Sequence, residues 1–113
     1  MALVVGYGAI GRAFADRARA LGMTVGFYDP EIAPGSWDVT HVHRFSSLAA
    51  GLEVADLVSL HLPLTEKTSN IIDASALALM KQDAVLINTA RGGLVDTDAV
   101  AAALQAGALG GVG

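Results

Sequence analysis

The sequence predicts an α/β domain built on a doubly wound parallel sheet with helices in layers on both faces. Three observations carry that reading. Four short apolar runs, Leu3 to Val5, Val25 to Tyr28, Leu57 to Leu60 and Ala84 to Ile87, are continuous rather than alternating, the pattern of strands covered on both faces. Segments of helical spacing lie between them, and such alternation closes through right-handed crossovers into one parallel sheet. A glycine-rich turn, GYGAIG, joins the first strand to the first helix.

Taken in order, the first strand leads into a helix whose residues Ile10, Ala13, Phe14, Ala18 and Leu21 form an apolar stripe at i, i+3, i+4, i+8 and i+11. Arg12, Asp16, Arg17 and Arg19 are left to water, and Gly22 supplies the stop. The stretch Glu31 to Ser47, with Pro34-Gly35 and Trp37, is the least regular, and His41-Val42-His43 reads as a brief edge strand. His41 and His43 themselves are expected to be surface or strand residues. A shorter helix is expected over Asp73 to Met80. A clearer one runs from Thr97 to Ala106, with Asp96 as N-cap, Val100, Ala103 and Leu104 as its buried stripe, and Gly107 past its end. Residues 108 to 112 would begin another strand. No repeat, linker or low-complexity segment interrupts the pattern.

Composition narrows the function classes. The 113 residues suit one domain, and a net charge of -4 without a basic run gives no footprint for nucleic acid or an anionic membrane. There is no cysteine, so disulfides and thiolate metal sites are excluded, and no metal site is expected. MALVVGYG lacks the features of a signal peptide and no run of about twenty apolar residues suggests a span, so a cytoplasmic location is expected. Hydrophobic residues make up 53% and mean hydropathy is +0.52, more apolar surface than so small a core hides. That excess, with the abrupt start and the GALGGVG end, reads as a piece of a larger protein. The alternative is a small domain that self-associates.

In a doubly wound sheet, ligands bind where the carboxyl ends of the strands meet the topological switch point. That edge carries Gly6, Asp29, His61 to Pro63 and Asn88 to Gly93. Gly6, Gly8 and Gly11 follow a strand and open a helix, and Asp29 stands eighteen residues past Gly11 at the end of the next strand. Gly6 permits the tight turn, Gly8 lets backbone approach a pyrophosphate, and Gly11 allows close helix–strand contact. The free N–H groups of Ala9, Ile10 and Gly11 and the positive helix end would meet the phosphates. Asp29 would accept hydrogen bonds from adenosine ribose hydroxyls and repel a 2′-phosphate. Pro30 and Glu31 follow it, with no lysine or arginine beside them, which predicts NAD over NADP.

The second half is more specific. HLPLTEKTSNIID, residues 61 to 73, and LMKQDAVLINTARGGLVDTDAVAAAL, residues 79 to 104, closely resemble the D-isomer-specific 2-hydroxyacid dehydrogenases. These include D-lactate, glycerate, glyoxylate/hydroxypyruvate, phosphoglycerate and formate dehydrogenases. The resemblance covers essentially the whole chain, with the glycine motif and Asp29 in register. It implies a Rossmann domain at residues 1–113, a single NAD-binding domain lacking the substrate domain of a two-domain enzyme.

It also implies roles. Arg91, in the NTARGG run, would clamp the substrate carboxylate and polarise the reacting carbonyl. Thr89 and Ala90 would approach the nicotinamide ribose, Leu62 and Pro63 the adenosine side, and Thr68 belongs to the same cofactor-binding loop. His61 borders the cofactor rather than serving as general acid, because the family's proton donor is a histidine paired with a glutamate further along. Ala9 stands where many members carry an arginine, which predicts modest affinity for NAD. The implied activity is hydride transfer between NAD(H) and a small D-2-hydroxy or 2-oxo acid by a full-length homodimer, with this chain inactive alone. Two alternatives stay open: an NADH-sensing corepressor of the same family, and an adenosylhomocysteine hydrolase, against which the ARGG run argues.

Overall fold

The computed structural model describes residues 1–33, 35 and 41–113. Pro34 and Trp37, in the segment expected to be irregular, lie outside the described residues. Six parallel strands form one sheet in the order β3-β2-β1-β4-β5-β6. They are β1 (Ala2–Val5), β2 (Val25–Tyr28), β3 (His43–Arg44), β4 (Leu57–Leu60), β5 (Val85–Asn88) and β6 (Gly111–Val112). The helices are α1 (Ala9–Ala20), α2 (Leu48–Val54), α3 (Ala74–Leu79) and α4 (Thr97–Gln105). The chain leaves β1 to build β2 and β3 on one side and returns to build β4 to β6 on the other. The switch point therefore falls between β1 and β4.

Alternate side chains of the central strands enter different layers. Leu3 and Val5 join Val58, Leu60 and Leu86 in a core closed by α2, α3 and α4. Ala2 and Val4 join Val25 and Phe27 in a second core closed by Ala15 and Ala18 of α1. The continuous apolar strands are thus buried on both sides, as their pattern requires. Among the described residues no helix is long and apolar enough to cross a membrane.

The expected stripe of α1 holds at Ala18, which is buried, and at the half-buried Ala13 and Phe14, but not at its two ends. Ile10 is 72% exposed and Leu21 84%, while the buried residues are Gly11, Ala15 and Ala18. Close docking explains why Gly11 is buried at its start: a Cβ there would stand 2.0 Å from the Gly6 carbonyl oxygen. Small residues lie where the helix is pressed to its strand, with Phe14 packed beside them and Ile10 and Leu21 turned outward. In α4, Asp96 caps as expected, its Oδ1 accepting from the Ala99 N–H at 3.1 Å, and Gly107 follows the end at φ 70°. Val100 is buried there, but Ala103 is only half-buried and Leu104 is exposed.

Three further differences concern short elements. Helix α2 was not legible: it has seven residues with Gly51 in their middle, yet Gly51 is needed because a Cβ would lie 2.7 Å from Leu3 Cδ1. Ser47 caps it, Oγ accepting from the Ala50 N–H at 3.2 Å. The edge strand is His43–Arg44 rather than residues 41–43, set by Gly26, whose missing side chain makes room for the Phe45 ring. Strand β6 is confined to Gly111–Val112 within the expected 108–112, and β5 extends one residue beyond the apolar run, to Asn88.

Candidate cofactor and substrate site

Every strand of the switch point ends at the same rim. Val5 of β1 is followed by Gly6, whose N–H donates to the Tyr28 carbonyl at 2.9 Å, while the His61 N–H donates to the Val5 carbonyl at 2.7 Å. The turn after β1 is thus tied to both neighbouring strands. Gly6 has φ 94°, and a Cβ there would approach the His61 carbonyl carbon to 2.7 Å, so conformation and space both demand glycine. Gly8 differs: nothing lies within 4 Å of where its Cβ would be, and the residue is exposed. Its bareness serves whatever approaches from outside.

Helix α1 starts without a side-chain cap and without an acidic residue in its first turn. Its first internal hydrogen bond is donated by the Arg12 N–H to the Gly8 carbonyl at 3.0 Å, so the N–H groups of Ala9, Ile10 and Gly11 precede the ladder. The Arg12 Nε also donates to that carbonyl, at 3.3 Å, which directs the side chain back onto its own helix.

Asp29 is held with its carboxylate fixed. Oδ2 accepts from the Tyr7 N–H at 2.7 Å and Oδ1 from the Glu31 N–H at 2.9 Å, at a side chain only 9% exposed. The Tyr7 ring stacks on Phe27 with centroids 4.1 Å apart, locking the turn that supplies the first of these donors. Each carboxylate oxygen thus accepts from one backbone N–H and keeps a further lone-pair direction for a hydroxyl.

His61 follows β4 and is half-buried. Its Nε2 lies 2.9 Å from Ser59 Oγ, and its ring lies against Phe14 at 5.3 Å between centroids. Burial pushes the imidazole below its ordinary value, so it is neutral at pH 7. Past it, Leu62 is buried and Pro63 exposed. Thr68 stands behind this loop: its hydroxyl donates to the Pro63 carbonyl at 2.6 Å and accepts from the Thr65 N–H at 2.8 Å. It braces the loop and also lines the hollow beside it.

After β5, Asn88 organises the turn that carries Arg91. Its Nδ2 donates to the Arg91 carbonyl at 2.9 Å and its Oδ1 accepts from the Ala90 N–H at 3.1 Å. The Arg91 side chain is exposed, with Nη1 donating to the Ala90 carbonyl at 2.8 Å, and a short 3₁₀ turn, Gly92–Leu94, follows. Ile10, His61, Leu62, Pro63, Thr89, Ala90 and Arg91 line one cleft of about 560 Å³. Leu62 and Pro63 also wall a second hollow of about 440 Å³, shared with Tyr28, Pro30, Glu31 and Lys67. The two share Leu62 and Pro63 as walls, with Arg91 in the first and the Asp29 neighbours Tyr28 and Pro30 in the second.

The predicted residues therefore converge on one rim, Thr68 among them at the edge of the second hollow. The residues missed are Tyr7, Ser59 and Lys67, together with the clamping role of Asn88, which was placed on the rim without one. Asn88 carried a readable signal, a polar residue closing an apolar strand just before a turn; Tyr7 and Ser59 carried none. Lys67 corrects the reading that no basic residue is at hand near Glu31: it arrives from 36 positions along the chain, beyond the reach of a local scan. Among the described residues no group of three or more His, Cys, Asp or Glu could hold a metal ion.

These features fit a dinucleotide. Open space over Gly8, donors without caps and a carboxylate fixed one strand away match a pyrophosphate and a ribose diol in charge and in hydrogen-bonding sense. Comparison with known proteins agrees. Residues 1–113 match the family model for the D-isomer specific 2-hydroxyacid dehydrogenase, NAD binding domain. The chain is 50% identical over 108 residues to the (S)-sulfolactate dehydrogenase of Chromohalobacter salexigens, covering 96% of this chain and 35% of that protein. It is 44% identical over 110 residues to the glycerate dehydrogenase of Methylorubrum extorquens, covering 97% and 32%. A solved D-isomer specific 2-hydroxyacid dehydrogenase from Lactobacillus delbrueckii ssp. bulgaricus, in its NAD complexed form, superposes with a TM-score of 0.89 at 40% identity over 98% of this chain and 34% of its own. The chain spans about a third of the length of each of these relatives. By sequence, fold and the layout of its rim, this chain belongs to the NAD-binding domain family of the D-isomer specific 2-hydroxyacid dehydrogenases.

Proposed function

We propose that this chain is the cofactor-holding domain of a two-domain enzyme that moves hydride between NAD(H) and a small D-2-hydroxy or 2-oxo acid. The observation that carries the reading is that the open space over Gly8, the fixed Asp29 carboxylate and the cleft bearing Arg91 lie together at the carboxyl ends of β1, β2 and β5. When bound, the nicotinamide gives or takes hydride. Ala9, Ile10 and Gly11 hold the pyrophosphate through backbone N–H groups, Asp29 holds the adenosine ribose, Leu62 and Pro63 flank the adenosine, and Thr89 and Ala90 border the nicotinamide side.

Arg91 addresses the substrate. Hydride reaching the carbonyl carbon of a 2-oxo acid drives negative charge onto oxygen, and a planar, permanently cationic guanidinium can meet carboxylate and carbonyl together. The proton comes from elsewhere. His61 is neutral, its Nε2 engaged with Ser59, and an imidazole in that state is a poor acid at pH 7. A donor outside these 113 residues completes the reaction, so the chain alone binds NADH but does not turn over. The full enzyme is read as a cytoplasmic homodimer without nucleic-acid or membrane partners. The relatives named above are dehydrogenases, and a corepressor role draws no support from them.

The test has two arms. NADH added to the purified chain is expected to bind, and glyoxylate, hydroxypyruvate and pyruvate are expected to give no turnover. In the full enzyme, Arg91→Ala is expected to lower kcat/KM roughly 10²–10³-fold, the loss typical of removing one charge-stabilising donor. Turnover by the chain alone, or an Arg91→Ala enzyme of undiminished activity, would reject the reading.

A further inference from the structure

We propose that Lys67 sets how strongly this site rejects a 2′-phosphorylated adenosine, by opposing Glu31 in the same hollow and the Asp29 carboxylate near it in the chain segment after β2. The inference rests on the NAD reading above and adds a specificity-determining residue to it. The hollow beyond Pro63 takes Tyr28, Pro30 and Glu31 from the segment after β2, and Lys67 from the segment after β4. Among the residues lining it, Glu31 is the one acid and Lys67 the one base. Asp29, between Tyr28 and Pro30, adds a second negative charge whose position is fixed by the Tyr7 and Glu31 N–H groups.

The two cofactor forms sense this arrangement differently. A neutral ribose diol satisfies Asp29 and feels little of the ammonium. A 2′-phosphate brings close to two negative charges into the same space, repelled by Asp29 and Glu31 and attracted by Lys67. The residue after Lys67 is the brace of the loop: Thr68 Oγ1 bonds the Pro63 carbonyl at 2.6 Å and the Thr65 N–H at 2.8 Å. The lysine stem therefore starts from a fixed point beside the hollow. Rejection of NADPH is partial on this account, and its degree is written in the balance between Lys67 and Glu31.

The experiment titrates NADH and NADPH separately into the 113-residue chain, as wild type, Lys67→Gln and Glu31→Gln, at low ionic strength. Both positions are exposed, and circular dichroism checks the fold of each variant. Lys67→Gln is expected to weaken NADPH by about three- to fivefold, the span of an exposed ion pair, and to leave NADH within about twofold. Glu31→Gln is expected to tighten NADPH by a similar factor, and salt to erase both differences. Equal losses for the two cofactors, or unchanged NADPH affinity in Lys67→Gln, would overturn the role of the lysine while leaving the NAD reading standing. Wild type without affinity for NADH would overturn both.

Discussion

Asn88 grips the backbone on both sides of the Ala90–Arg91 peptide, accepting from the Ala90 N–H at 3.1 Å and donating to the Arg91 carbonyl at 2.9 Å. One amide side chain thereby sets the direction in which the strand-end turn leaves the sheet. The guanidinium has no such tether beyond its own chain, since its hydrogen bond runs to the Ala90 carbonyl. The backbone is fixed and the charged tip is left adaptable, an arrangement suited to a group that must reach a small acid arriving from solvent.

Replacing Asn88 by alanine removes both bonds while leaving the strand residues before it untouched. The expected cost is about 1–2 kcal/mol, two modest hydrogen bonds at a partly exposed site. Asn88→Asp should recover less than half of this, because a carboxylate accepts from Ala90 but cannot donate to Arg91. Thermal unfolding of the three proteins tests the order, and faster amide exchange of residue 90 in Asn88→Ala would show that the turn, rather than the sheet, has loosened.

The glycines of the motif separate into two physical classes, and substitution should expose the difference. Gly11→Ala drives a Cβ to 2.0 Å from the Gly6 carbonyl oxygen, a backbone atom that cannot yield without lifting α1 from β1. A loss of about 1–3 kcal/mol is expected, as for other overpacked interiors. Gly8→Val meets nothing within 4 Å, at φ -79°, and should leave the melting temperature nearly unchanged. It should nevertheless weaken NADH by roughly tenfold or more, a loss above about 1.4 kcal/mol, because the branched side chain fills the space through which phosphate reaches the helix N–H groups. Similar melting losses in both variants would mean that Gly8, too, serves the fold alone.

What could be read in the sequence follows from the range over which each interaction acts. The four long strands were visible because burial on both faces makes them continuously apolar, and the cap Asp96 was visible because a cap signal is local. The buried face of α1 was read only in part: Ala18 was placed in it, but Ile10 and Leu21 were too, because small residues such as Ala15 are set by proximity to a strand that hydropathy does not report. Helix α2 escaped because its justification, Gly51 beneath Leu3, joins residues 48 positions apart. The site shows the same division. Motif residues at strand ends were identified, while Asn88 as a clamp, Ser59 as the partner of His61 and Lys67 beside Glu31 became visible only when the chain was folded.

His61 makes the pH dependence of the domain predictable in sign. Burial lowers the folded imidazole below 6.5, so the folded chain binds fewer protons than the unfolded chain between that lowered value and 6.5. Stability therefore rises with pH across this window and falls as the solution is acidified from pH 7 toward 5. The slope cannot exceed about 1.4 kcal/mol per pH unit, the limit for one proton. Denaturant midpoints measured at pH 5, 6 and 7 should decline on the acid side in the wild type. His61→Gln should flatten that decline while remaining folded, since glutamine can still bond Ser59 and carries no titrating proton. A slope that survives the substitution would place the responsible group elsewhere and would remove the case for a neutral His61 beside the cleft.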